Sequence, residues 1–146
     1  MMNMSLSARP FAPALERLKS AGLRPTRQRL SLARLLFADG DCHVTAEVLH
    51  GKAQAEGIKV SLATVYNTLH QFQAAGLLRE VVVEPGRAYF DTNVSDHHHF
   101  FHEGSGTLTD IPQDSVTLGS LPSAPNGARI ARVDVIIRVV DETPHR

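Results

Sequence analysis

The sequence predicts an α/β chain of the α+β kind, with a helical half first and a short strand-rich half after it. Three observations carry this. Apolar residues recur at helical spacing in four segments between residues 13 and 74, they alternate with polar ones from 77 to 91, and beyond that short β-branched runs are separated by proline and glycine. The expected domains are residues 1–90 and 91–146.

In P-A-L-E-R-L-K-S-A-G-L, Leu15 and Leu18 share one helix face, Glu16 and Lys19 another, and Gly22 can close the helix. The second helix has Pro25 near its start, Leu32, Leu35 and Leu36 at helical spacing, and Asp39-Gly40 at its end. Thr45 caps a third helix through Val48 and Leu49, ending near Gly57, and the fourth begins at Ser61. There Leu62, Val65, Leu69 and Phe72 form a stripe to be buried, which leaves Ala63, Thr64, Asn67, His70 and Gln71 exposed and Tyr66 at the border.

Short helices in a row suggest a helix-turn-helix module. The exposed face of the fourth helix is small, polar and nearly uncharged, which suits a major groove, although any amphipathic surface helix has the same period. The next run alternates around Glu84-Pro85-Gly86-Arg87, a turn between two strands, and a hairpin in this position is a wing. Arg87 at its tip, with Arg24, Arg27 and Arg29, would spread positive charge for phosphate; each taken singly reads more readily as a solvated side chain.

The second half is predicted to contain a strand at Leu108–Ile111 and a stronger one from Ile130 to Val140, with Val133, Val135, Ile137 and Val139 on one face. Pro112, Gly119, Pro122, Pro125 and Gly127 permit at most a short helix between them. So few strands call for pairing with a second copy. Charge follows the same division: residues 1–80 carry 10 Lys+Arg against 6 Asp+Glu and residues 81–146 carry 5 against 9, so +4 is followed by −4.

With Cys42 alone, the chain can form no internal disulfide and no zinc site of several thiolates. The start lacks a charged and then apolar targeting pattern, and no apolar run reaches membrane-spanning length, so a cytoplasmic protein without membrane partners is expected.

D-H-H-H-F-F-H-E, residues 96–103, concentrates imidazoles. On an extended chain His97, His99 and Phe101 face one way and His98, Phe100 and His102 the other, so either histidine pair could chelate a first-row divalent cation. The bland alternative is a solvated histidine turn. A metal-dependent hydrolase is the rival class, but H-E-x-x-H, a nucleophile elbow and a phosphate-binding glycine loop are all missing, and no enzyme is expected.

A-G-L-R-P-T-R-Q-R, H-V-T-A-E-V-L, V-S-L-A-T-V-Y-N-T-L and A-A-G-L-L-R-E occur in order, and through them the chain resembles the ferric uptake regulator family. F-D-T-N-V-S-D-H-H-H-F-F, the following D-I-P and I-A-R-V-D-V are most similar to its iron response regulator branch. The resemblance implies a winged helix-turn-helix DNA-binding domain followed by a small α/β dimerisation domain, acting as a homodimer on a near-palindromic double-stranded DNA operator. It places Tyr66 on bases, Arg24 in the minor groove, and Ser61, Thr64 and Asn67 around them. Many relatives have arginine where Asn67 stands, so a different operator sequence is implied.

The resemblance also assigns His43, Asp91, His97 and His99 to a hinge metal site for Fe, Mn or Zn, and His98 to a second site; the spacing from Asp91 to the histidines is one residue shorter than in many relatives. His102 and Ser105 stand where two cysteines are usual and the C-terminal cysteine pair is missing, so no structural zinc held by four cysteines is expected and the dimer core must substitute. In the branch, His97, His98 and His99 bind haem, supplied by a possible protein partner, and haem releases a repressor that acts at low iron on iron and haem genes. The cysteine-proline haem motif of some members is missing, since Cys42 precedes His43. A divalent-metal-dependent repressor, sensing Mn, Zn, Fe or peroxide, is the alternative.

Overall fold

The computed structural model describes residues 11–142; residues 1–10, on which the expectation of no targeting pattern falls, lie outside them. Two compact units divide after Val94. The boundary expected at residue 90 falls inside a strand, Arg87–Asp91.

The first unit contains helices α1 (Ala12–Ser20), α2 (Arg27–Phe37), α3 (Ala46–Ala55) and α4 (Leu62–Ala74), with strands β1 (His43–Val44), β2 (Arg79–Glu84) and β3 (Arg87–Asp91). Three helix starts are fixed in one way. The side-chain oxygens of Thr26, Thr45 and Ser61 accept the backbone N–H of Arg29, Val48 and Thr64 at 3.2, 3.2 and 3.1 Å. Each satisfies an N–H that the helix cannot, at roughly 1 kcal/mol per cap.

Leu18, Leu32, Leu36, Leu49, Val65, Leu69, Phe72 and Phe90 close the core. Val65, Leu69 and Phe72 are the buried stripe of α4, Leu62 is only partly covered, and Thr68 joins the buried face. Burial of each large apolar side chain contributes about 1.5–3 kcal/mol.

β1, β3 and β2 form an antiparallel sheet in that order. The β2–β3 turn is Pro85-Gly86, with Gly86 at φ 77, a left-handed conformation that glycine adopts without a Cβ clash. Two residues give no period to read, so β1 is invisible in the sequence; in the fold it sets His43 opposite Asp91 and Val44 opposite Phe90.

In the second unit β4 (His98–His102), β5 (Thr107–Ile111) and β6 (Ile136–Val139) form a sheet of order β5-β4-β6, antiparallel on one side and parallel on the other. The strand expected from Ile130 begins only at Ile136. Before that point the Val135 N–H is taken by His98 Nδ1 at 3.1 Å rather than by a strand carbonyl. Val133 and Val135 thus lie outside the strand, and Ile137 is exposed, so the expected single apolar face does not form. The proline-rich segment holds one short 3-10 turn, Gln113–Ser115.

Phe101, Leu108 and Ile111 are buried in this unit, whereas Leu118, Leu121, Ile130, Ile137 and Val140 are exposed. Among the described residues no helix is long and apolar enough to cross a membrane.

Candidate functional site

Strand pairing in each unit brings together side chains far apart in sequence. In the first, the β1–β3 register sets the His43 Nε2 3.1 Å from Asp91 Oδ2. Asp91 is fully buried, and its other oxygen accepts the Asn93 N–H at 2.9 Å. A buried carboxylate requires such compensation, since desolvation penalises its charge. Two bonds beyond the strand hold the same place: Thr92 N–H donates to the Cys42 carbonyl at 3.0 Å, and Cys42 N–H donates to Thr92 Oγ1 at 2.8 Å.

In the second unit His97 and His99 are buried together, ring centroids 4.4 Å apart, both facing one carboxylate. Asp110 Oδ1 lies 3.1 Å from His97 Nε2 and 3.5 Å from His99 Nε2. The three residues offer donor atoms within 4.8 Å of one another. His97 Nδ1 donates to the Ser95 carbonyl at 2.6 Å, because a carbonyl can only accept. In the neutral ring Nε2 then carries a lone pair aimed at a carboxylate oxygen, and two acceptors face each other favourably only with a cation, proton or metal, associated with both. Nitrogen and oxygen donors in this combination suit Mn, Fe or Zn.

The alternation read from the sequence holds, with His97, His99 and Phe101 inside and His98, Phe100 and His102 partly exposed. Asp110 was missed. It enters only because His99 pairs with it across the β4–β5 ladder, and a register between strands leaves no local mark in the sequence. His98 is occupied otherwise: accepting the Val135 N–H at Nδ1 leaves the proton of the neutral ring on Nε2.

His102 Nε2 meets Thr109 Oγ1 at 3.1 Å across the β4–β5 hairpin and Ser105 Oγ donates to Thr107 Oγ1, two residues on, at 2.8 Å, so both residues at the usual cysteine positions are hydrogen-bonded. Cys42, half-buried, donates Sγ–H to the Leu36 carbonyl at 3.5 Å, and burial pushes its thiol pKa up, away from the thiolate that metals require.

Of the residues expected to face DNA, Arg24, Thr64 and Asn67 line one polar groove of about 470 Å³. Its wall is built by Arg29, whose Nε and Nη2 donate to Gln71 Oε1 at 3.2 and 3.0 Å and whose Nη1 donates to the Arg24 carbonyl at 2.9 Å. Arg29 therefore braces α2 against α4 instead of standing free for phosphate. Ser61 caps α4 and also donates to Thr64 Oγ1 at 3.0 Å. Tyr66 is 37% exposed and donates to Glu47 at 3.2 Å, while Arg87 lies exposed at the β2–β3 turn.

A helical unit with a two-stranded wing, followed by a strand unit carrying a histidine–carboxylate cluster, is consistent with the metal-responsive transcription regulators that the chain matches. Residues 20–137 match the ferric uptake regulator family, and the chain belongs to it. The peroxide operon regulator of Bacillus subtilis (strain 168) is 33% identical over 106 residues, 73% of this chain and 72% of that protein. The ferric uptake regulation protein of Shigella flexneri is 35% identical over 100 residues, 68% of each. The ferric uptake regulator of Pseudomonas aeruginosa, solved with manganese, has the same fold with a TM-score of 0.66 at 24% identity, covering 89% of this chain and 98% of that one. Family members are transcription regulators rather than enzymes and act as DNA-binding dimers, with an N-terminal DNA-binding domain and a C-terminal dimerisation domain.

Proposed function

We propose that the protein is a cytoplasmic homodimeric repressor whose hold on a near-palindromic operator is governed by a first-row divalent cation. The observation that carries this is the pair of buried imidazoles, His97 and His99, converging on Asp110 with the His97 lone pair directed at the carboxylate. The proposed ligands are His97, His99 and Asp110, completed by His43 and Asp91 on the strength of the family resemblance. A bound cation would supply positive charge between the two buried imidazoles and the exposed Asp110 carboxylate.

On DNA, Tyr66 and Asn67 are the proposed base readers, Thr64 and Ser61 flank them, Arg24 reaches the minor groove and Arg87 meets phosphate. The test is selection from a random duplex pool with Mn²⁺ present. Tyr66→Ala should cost about 1–3 kcal/mol and relax the preference, whereas Arg24→Ala should lower the salt slope by about 1. Tyr66→Ala with unchanged affinity and preference would remove α4 as the reading helix.

The second reading is release by haem as in the iron response regulator branch, with iron and haem genes as targets and a haem-supplying partner. It is supported by the run His97-His98-His99 and the partial exposure of His98. Residues two apart on a strand lie about 6–7 Å apart on one side, so His97 and His99 do not sandwich one porphyrin. His98 ligation through Nε2 would require the ring to surrender the Val135 N–H or rearrange its proton. These costs favour the divalent cation.

A further inference from the structure

α3 and α4 bring Glu47 and Tyr66 together: Tyr66 Oη donates to Glu47 Oε2 at 3.2 Å. The ring is held before any ligand arrives. It stacks on His70, centroids 6.4 Å apart at 16°, and His70 packs against the edge of buried Phe90 at 5.4 Å and 84°. Desolvation and the Glu47 hydrogen bond both raise the phenol pKa, so the hydroxyl keeps its proton.

A phenol has one proton to give, and here Glu47 receives it. An ionised carboxylate only accepts. Together the two side chains present oxygen lone pairs and a negative charge, and no donor. In the major groove the complementary groups are the amino hydrogens of cytosine N4 and adenine N6, whereas guanine O6 and N7 and thymine O4 are acceptors.

We propose that Glu47 is a specificity-determining residue, making Tyr66 an acceptor that selects cytosine or adenine over guanine or thymine on the strand it faces. This rests on α4 being the reading helix. The carboxylate also repels phosphate, so it weakens binding to all DNA while sharpening the choice at one position.

Glu47→Gln tests this without disturbing the fold: the amide carbonyl still accepts from Tyr66 and α3 stays capped by Thr45, while the amide NH2 removes the charge and sets a donor beside the Tyr66 oxygen where the pair had none. The full chain with Mn²⁺ would be exposed to a duplex pool with randomised bases, and the retained sequences of wild type, Glu47→Gln and Tyr66→Phe compared. The expected result is wild-type enrichment of cytosine or adenine at one position per half-site, reduced about tenfold in Glu47→Gln at that position alone. Binding of Glu47→Gln to unrelated DNA should rise, and Tyr66→Phe should alter the same position. Unchanged preferences in both variants, or a wild-type preference for guanine or thymine at the responding position, would overturn the assignment. A wild type that selects no sequence would instead defeat the reading-helix function itself, and the role of Glu47 with it.

Discussion

His97 Nε2 stands 3.1 Å from Asp110 Oδ1 while the opposite nitrogen of the same ring donates to the Ser95 carbonyl at 2.6 Å. The pair therefore has a defined orientation and a defined need for positive charge. Asp110→Asn keeps the side-chain size and removes the charge. Mn²⁺ affinity measured by calorimetry should fall at least about tenfold, roughly 1.4 kcal/mol, with the helical signal of the protein unchanged. Equal affinity in the variant would take Asp110 out of the ligand set.

His98 Nδ1 accepts the Val135 N–H at the edge of the sheet. His98→Ala leaves the Val135 N–H without its acceptor, so stability in urea should drop by about 1–2 kcal/mol while Mn²⁺ affinity stays at the wild-type value. Loss of Mn²⁺ binding with normal stability would reverse these roles.

Ser61 combines a cap with a place on the proposed DNA face, and two substitutions separate them. Ser61→Ala should destabilise the first unit by about 1 kcal/mol. Ser61→Asp retains a capping oxygen and adds a charge facing phosphate, so its stability should match wild type while DNA affinity falls. An aspartate variant that binds DNA normally would show that Ser61 is a cap only.

Cys42 should respond to alkali in one direction. Burial raises its pKa above the ordinary 9.0, so the folded protein holds this proton over a range in which the unfolded chain has lost it. Stability from this source is fully present below about pH 9 and is lost as pH rises through the folded value, since the native state there binds more protons than the unfolded one. Alkylation of the native thiol near neutral pH should be slower than that of a free thiol. Rapid alkylation would contradict the protonated, half-buried state.

Local features of the sequence translated directly into structure. Thr45 and Ser61 announced two helix starts, and Val65, Leu69 and Phe72 announced the buried face of α4, because capping and helical period depend on neighbours within a few residues. The alternation from His97 to His102 gave the inside and outside of β4 for the same reason. What stayed hidden depended on partners distant in the chain. Asp110 meets His99 through a ladder register, β1 exists because β3 is there to pair with it, and β6 starts only at Ile136 because His98 takes the amide before it. Arg29 looked like one more surface cation, and only the packing of α2 on α4 shows it spanning Gln71 and the Arg24 carbonyl.

The most direct measurement is operator affinity, by fluorescence anisotropy on the selected duplex, for chelator-stripped protein titrated with Mn²⁺ and in parallel with haem. Divalent-cation control predicts weak binding by the stripped protein, a rise of at least about tenfold with Mn²⁺, and no such rise in His97→Ala/His99→Ala. By linkage the same duplex must tighten Mn²⁺ binding by the same factor. Affinity indifferent to Mn²⁺ but lowered by haem in the wild type would contradict the account and establish the haem reading in its place.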